Sequence, residues 1–167
     1  GVADRVALVE ADAGKYAFEH GGYDIVSCIG ATWIGAGLAG TLALMRPGLR
    51  DRDSLLLVGE PFWMADAPDE AYEQIVGGDR EAYLSLAGTL DRIESAGFEL
   101  VEMVLADHHG WDRYNAMQWR AVSDWLRAHP DDPEAAELSA WIDRARREYL
   151  AYGRRYFGWG VFVLRQP

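Results

Sequence analysis

The chain has 167 residues, half of them apolar and 26% charged, a balance that predicts one globular domain with a sizeable core. The formal net charge of −11 argues against broad binding to nucleic-acid phosphates, and no apolar run approaches the ~20 residues of a membrane-spanning helix. The single cysteine, Cys28, cannot form an internal disulfide, so we expect a reducing, cytoplasmic location.

Two short apolar runs open the chain and predict strands. The first is Arg5–Val9, which stops at an acidic turn around Asp12, and the second is Tyr23–Ile29, which stops at Gly30. Runs of this kind are typical of strands that are buried on both faces of a parallel sheet. Ligands of such sheets bind beyond the carboxyl ends of the strands, so Asp12 and Gly30 are candidate site residues.

The middle of the chain predicts a helix, a third buried strand and an aromatic loop. Apolar residues recur at helical spacing over Ile34–Met45. Ser54–Glu60 predicts the strand, and Phe62 and Trp63 follow it in a loop. Glu60 could meet a cation of a cofactor or substrate, or could simply cap the loop. Trp63 could line a pocket or pin the loop to the core.

The last third of the chain predicts two strands separated by helices. Phe98–Ala106 predicts a strand after a helix at Arg80–Ala96, and Trp159–Arg165 predicts the final strand. Between these strands lie a loop with two histidines and a helical segment at residues 111–155. Asp112 is the predicted N-cap of its first helix.

The second helix of this segment is predicted to begin with Asp132 as its cap and Pro133 at its first helical position. The first helix is predicted to turn Tyr114 and Met117 inward, because they share its apolar face. The helical pair therefore interrupts two neighbouring strands.

The order of these elements resembles that of class I S-adenosylmethionine-dependent methyltransferases, in particular the small-molecule type with a helical insert before the last strand. No single motif carries the likeness, but an ordered set extends over nearly the whole chain. The motifs are VEADA (9–13), YDIVSCIGA (23–31), LMRPG (44–48), LLLVGEPFW (55–63), ESAGFELV (94–101), WDRYNAMQW (111–119) and GWGVFVL (158–164).

The resemblance implies S-adenosyl-L-methionine as cofactor and methyl transfer to a small molecule as the reaction. Asp12 would accept a hydrogen bond from the adenine amino group, and Ala13 would contact the ring through its backbone N–H. Cys28, Gly30 and Ala31 would form the floor under the methionine part. Because the sulfonium is already a strong electrophile, holding the acceptor in line with the methyl group supplies much of the rate.

The resemblance also implies an α/β, Rossmann-like sheet in the order 3-2-1-4-5-7-6. Residues 1–167 would supply strands 3 to 7 as one domain, with the two-helix insert at residues 111–155. The family's glycine-rich first loop and the acidic residue that holds the ribose would precede Gly1. We therefore expect an N-terminal segment to complete the sheet, and we expect the chain by itself to bind cofactor poorly and to be inactive.

Candidate acceptor-side residues come from the aromatic and histidine-containing segments. Trp63, Trp111 and Tyr114 are predicted to bind substrate, with packing of the insert onto the domain as the alternative for the last two. His109 and Glu60 are candidate catalytic residues, His109 as a general base. No metal site is predicted, because adjacent histidines in an extended segment point to opposite sides and no second ligand cluster completes a set.

Two functional hypotheses follow. The first is a methyltransferase acting on a small molecule whose acceptor atom the sequence does not define. The second is a non-catalytic module of the same ancestry that binds a partner or regulates an enzyme. An Asp12 side chain turned away from any cleft, or locked into an internal ion pair, would contradict the cofactor hypothesis.

Overall fold

The computed structural model describes residues 1–167 and contains one four-stranded sheet. The strands are β1 (Ile25–Ile29), β2 (Leu55–Trp63), β3 (Glu99–Leu105) and β4 (Phe157–Arg165). The helices are α1 (Leu38–Met45), α2 (Asp69–Val76), α3 (Leu86–Ser95), α4 (His108–Ala128), α5 (Ala135–Glu148) and the single turn α6 (Arg154–Tyr156), which follows a π-helical stretch at Tyr149–Gly153. None of these helices combines the length and apolar character needed to cross a bilayer.

The sheet is mixed, with the strand order β1-β2-β4-β3. β1 and β2 are parallel, whereas β4 runs antiparallel to both β2 and β3. This arrangement confirms the predicted α/β class, and its order corresponds to the last four positions of the predicted sheet. The seven-stranded order remains a prediction, as does the assignment of residues 111–155 as the two-helix insert of the family.

The hydrophobic core lies between one face of the sheet and helices α1 and α3. Alternate side chains of the two central strands point into it, among them Leu56 and Phe162. Leu42 of α1 and Ile93 of α3 are fully buried against them. Complete burial of one such side chain contributes about 1.5–3 kcal/mol to the free energy of unfolding. Several side chains of this kind together hold α1 and α3 on the sheet.

The prediction of a strand at Arg5–Val9 is wrong. A 3-10 turn covers Ala3–Arg5, and the following residues make no ladder with any strand. Leu8 is 93% exposed. An apolar run forms a strand only where a neighbour satisfies its backbone N–H and C=O groups, and no strand lies beside this run.

The second predicted strand is confirmed, but its burial is not as expected. Val26 and Cys28 point into the core, while Ile25 and Ile29 are 57% and 52% exposed on the other face. β1 is an edge strand, so only β2 pairs with it. The strand was predicted to be buried on both faces of the sheet, but only the face with Val26 and Cys28 is buried.

β2 is longer than predicted and includes the residues assigned to the aromatic loop. Phe62 and Trp63 pair with Gly158 and Phe157 of β4 and are both buried. The antiparallel ladder continues past Glu60, so this residue lies inside the strand and not at its end.

The helical boundaries after β3 also differ from the prediction. α4 begins at His108, because the Asp107 side chain accepts a hydrogen bond from the Gly110 N–H and serves as the N-cap in place of Asp112. The histidine loop is therefore the first turn of a helix. α5 begins at Ala135, later than the predicted start at Asp132. Tyr114 and Met117 are 57% and 60% exposed, so the prediction that they face inward is wrong.

Asp112 has a different role from the predicted cap. Its carboxylate accepts hydrogen bonds from the Tyr149 hydroxyl at 2.8 Å and from Arg154 Nε at 2.9 Å. The hydrogen bond and charge of Arg154 lower the pKa of Asp112. These contacts tie α4 to the segment that leads into β4.

Candidate functional site

An apolar cavity of about 540 Å³ lies along β1 and reaches its carboxyl end. It brings together three of the predicted cofactor-binding residues, Ala13, Cys28 and Ala31. Tyr16 and Trp33 line other parts of its wall. The volume falls in the range of pockets for ligands of cofactor size. We call this space the first cavity.

Asp12 lies beside the first cavity, between the lining residues Ala11 and Ala13. Its Oδ1 accepts a hydrogen bond from the Gly14 N–H at 3.0 Å, and its Oδ2 lies 3.0 Å from Lys15 Nζ. The side chain is 58% exposed, so the ion pair is at the surface and not internal. Such pairs contribute little free energy and exchange readily for other partners.

Gly30 lies at a second cavity of about 500 Å³ on the other side of the β1 end. Its φ of +71° is in the left-handed region, where glycine is favoured. Trp111 and Tyr114 line this second cavity, so two of the three predicted substrate-binding residues meet one predicted cofactor residue. Ile29 lines both cavities, so both border the carboxyl end of β1.

The wall between β1 and α1 is a 3-10 turn at Thr32–Gly35, which carries Trp33. Thr32 is buried, and its hydroxyl donates to Glu60 Oε2 at 2.6 Å. Thr41 Oγ1 of α1 donates to the Thr32 carbonyl oxygen, also at 2.6 Å. The two bonds join the turn to the sheet and to the helix.

Glu60 is 3% exposed and lies on the core side of β2. Burial raises the pKa of its carboxyl to about 7, although the hydrogen bond from Thr32 and the charge of Arg92 act in the opposite direction. The carboxyl therefore keeps its proton to a higher pH than an ordinary glutamate does. Its partner in the structure is the hydroxyl of Thr32.

This shift predicts a pH dependence of folding. Because the folded pKa of Glu60 is raised, its contribution to stability is present below pH 4.5 and is lost as the pH rises through 7. Between pH 5 and 8 we expect the wild type to lose about 2–3 kcal/mol of unfolding free energy relative to Glu60→Gln. Urea unfolding at both pH values measures the difference, with the exposed Glu102→Gln as control. Parallel pH profiles for wild type and Glu60→Gln would contradict the assignment.

Trp63 and His109 lie apart from the two cavities. Trp63 is 5% exposed, and its ring packs on Tyr72 and Phe157 at centroid distances of 4.3 and 4.9 Å. It borders a separate cavity of about 240 Å³ and does not meet Trp111. His109 is exposed in the first turn of α4, next to Gly110 of the second cavity. Their predicted roles stay predictions.

Two residues at the site were not identified from the sequence. Trp159 of β4 lines the second cavity, and Thr32 organises the turn beside the first. A signal for this region was available, because glycines within strands, such as Gly59, often mark a place where another group approaches the backbone closely. Thr32 carried no such signal, since its importance depends on a partner 28 residues away.

Comparisons with known proteins bear on this arrangement. No protein-family model matches the chain. It is similar to the S-adenosylmethionine-dependent methyltransferases of Geobacter sulfurreducens and Thiobacillus denitrificans, both solved in complex with S-adenosyl-L-homocysteine. The identities are 38% and 35% and the TM-scores 0.91 and 0.90, over 99% of this chain and 66% of each relative. The structure of Escherichia coli YjhP matches at 40% identity and a TM-score of 0.91, over 100% of this chain and 68% of YjhP.

The chain belongs to the class I S-adenosylmethionine-dependent methyltransferases. The family predicted from the ordered motifs is thereby confirmed, and S-adenosyl-L-methionine is the cofactor of that family. The methyltransferase chain spans about two thirds of the length of these relatives. The relatives give no support to the alternative of a non-catalytic module.

Proposed function

We propose that this chain is part of an enzyme that transfers a methyl group from S-adenosyl-L-methionine to a small-molecule acceptor. The observation that carries the proposal is the presence of two cavities at the carboxyl end of β1, one lined by three of the predicted cofactor residues and one by aromatic side chains. Relatives of known structure bind the product of the cofactor, S-adenosyl-L-homocysteine. Cofactor and acceptor would meet at Ile29 and Gly30.

We propose that different residues at the first cavity bind the adenine and the methionine parts of the cofactor. Asp12 would exchange its contact with Lys15 for the adenine amino group, and the Ala13 N–H would contact the ring. Cys28, Gly30 and Ala31 would support the methionine part, mainly through the backbone. The chemistry then requires alignment of the acceptor with the sulfonium methyl group. His109 is the proposed base for an acceptor that must lose a proton, and Glu60 is the other proposed catalytic residue.

A further segment is proposed to complete the sheet beside β1. The outer edge of β1 has no partner strand, and Ile25 and Ile29 are exposed on the face of β1 that is turned away from the core. The relatives are longer by about a third of their length. Such a segment would supply the glycine-rich loop and the ribose carboxylate, so the intact polypeptide should bind cofactor more tightly than residues 1–167.

Calorimetric titration of the intact polypeptide with S-adenosyl-L-homocysteine tests the function. Asp12→Ala should weaken binding by about tenfold or more, since a hydrogen bond to a charged group contributes roughly 1.5–3 kcal/mol. Asp132→Ala is the matched control, because Asp132 also accepts a hydrogen bond from the N–H two residues on but lies between α4 and α5. No binding of S-adenosyl-L-homocysteine by the wild type would overturn the proposal.

A further inference from the structure

The indole of Trp159 lies against two glycines of neighbouring strands. A Cβ atom on Gly59 would lie 2.7 Å from Trp159 Cζ2, and one on Gly30 would lie 3.2 Å from Trp159 Cη2. The two glycines are themselves joined, since the Gly30 N–H donates to the Gly59 carbonyl at 3.1 Å. Side chains at these positions would displace the ring, so the strand ends form a cradle for it.

Trp159 is one end of a row of three parallel rings. Its ring and that of Trp111 are 6.1 Å apart between centroids and inclined by 14°. Trp111 and Tyr114 follow at 5.3 Å and 3°. Trp111 is held in place because its Nε1–H donates to the Phe157 carbonyl at 3.0 Å. We call Trp159, Trp111 and Tyr114 the aromatic row.

The aromatic row forms one wall of the second cavity, and the remaining lining is small and apolar. It consists of Ile29, Gly30, Ala106 and Gly110. No carboxylate, ammonium or guanidinium group lines the cavity. A charged ligand would lose its hydration there without gaining an ionic partner.

The geometry of the row discriminates between kinds of acceptor. A quaternary ammonium is best held by rings that enclose it from several directions, whereas these three rings are nearly parallel. A carboxylate or phosphate is best held by Arg or Lys, and neither lines the cavity. A flat conjugated ring gains from offset stacking on an aromatic side chain, which is the arrangement that these three rings adopt with one another.

We propose that Trp159 binds the methyl acceptor and that this acceptor is an uncharged molecule with a flat conjugated ring. The proposal rests on the proposed function, because it places the acceptor beside Gly30 and Ile29, and Ile29 also lines the proposed cofactor cavity. It adds the class of substrate and a specificity-determining residue. The cradle of Gly30 and Gly59 fixes how close the indole ring of Trp159 lies to the sheet backbone.

The test uses 2-naphthol as a flat probe, its saturated analogue decahydro-2-naphthol, and tetramethylammonium. Dissociation constants for the intact polypeptide without cofactor are measured by ligand-observed NMR. We expect 2-naphthol to bind most tightly. Trp159→Leu should weaken its binding on the order of five- to tenfold, because an aromatic pair contributes beyond the area that it buries. Trp159→Phe should restore most of the affinity. Trp141→Leu, which removes an exposed tryptophan of α5 outside the cavity, should leave it unchanged.

Three results would overturn the inference: equal affinity for 2-naphthol and its saturated analogue, tighter binding of tetramethylammonium, or unchanged 2-naphthol affinity in Trp159→Leu. The comparison of probes on the wild type needs no variant and remains valid even if Trp159→Leu does not fold.

Calorimetry with S-adenosyl-L-homocysteine separates the two proposals. Cofactor-product binding without preference for the flat probe overturns only the acceptor class, whereas absence of that binding overturns the proposed function.

Discussion

Leu42→Ala is expected to lower the unfolding free energy by about 3–5 kcal/mol, one of the two largest effects that we predict. Leu42 is fully buried between α1 and the sheet, among the side chains of the core. Truncation removes apolar area from the core and leaves a cavity that rigid neighbours fill only in part. Urea unfolding followed by circular dichroism measures the loss.

Leu150→Ala is the matched control, because it makes the same chemical change at a position that is 61% exposed. We expect it to alter stability by less than about 0.5 kcal/mol. Similar losses for the two variants would contradict the placement of the core between α1 and the sheet.

Gly40→Ala is expected to destabilise the fold by about 3 kcal/mol or more, although alanine is the better helix former. A Cβ atom on Gly40 would lie 1.9 Å from the Gly35 carbonyl oxygen. The reverse contact is as tight, since a Cβ on Gly35 would lie 2.2 Å from the Thr41 N. Both obstacles are backbone atoms, so relief requires movement of the Thr32–Gly35 turn. Trp33, which that turn carries into the first cavity, would move with it.

Gly88→Ala provides the comparison within another helix, α3. Its added Cβ would lie 2.9 Å from the Leu84 Cβ, so Leu84 must shift, but no backbone atom is among its three nearest neighbours. The gain in helix propensity, up to about 1 kcal/mol, should offset part of this crowding, so we expect a smaller loss of stability than in Gly40→Ala. Thermal unfolding of both variants tests the difference. A Gly40→Ala protein as stable as Gly88→Ala would show that the turn and α1 are not in close contact.

Gly35 and Gly40 illustrate how far the sequence leads. Glycine is a poor helix former, so its presence in the helical pattern of Ile34–Met45 predicts a close approach, either to the sheet or to a ligand. The structure shows an approach of another kind, between the backbone of the Thr32–Gly35 turn and the start of α1. A glycine in a helical pattern indicates that another group comes close to the backbone, whereas only the folded chain shows which group that is.

The elements that were predicted well are those whose signal is local. Apolar runs bounded by turn residues predicted β1, β3 and β4, and helical spacing predicted α1 and α4. The errors arose where a neighbour decides the outcome. Val6–Val9 has the composition of a strand but no strand to pair with, and Phe62 and Trp63 remain in β2 because β4 lies beside them.

The sequence by itself determined the α/β class and, through the order of its motifs, the methyltransferase family. Through the same resemblance it predicted Ala13, Cys28 and Ala31 as cofactor residues, and the structure places all three on one cavity. The tertiary structure alone decided that Glu60 is buried on Thr32 and that Trp159 joins Trp111 in the aromatic row. The physical reason is distance along the chain: the periodicity of a segment reports which faces it buries, whereas hydrogen bonds and ring contacts between distant segments exist only once the sheet has brought them together.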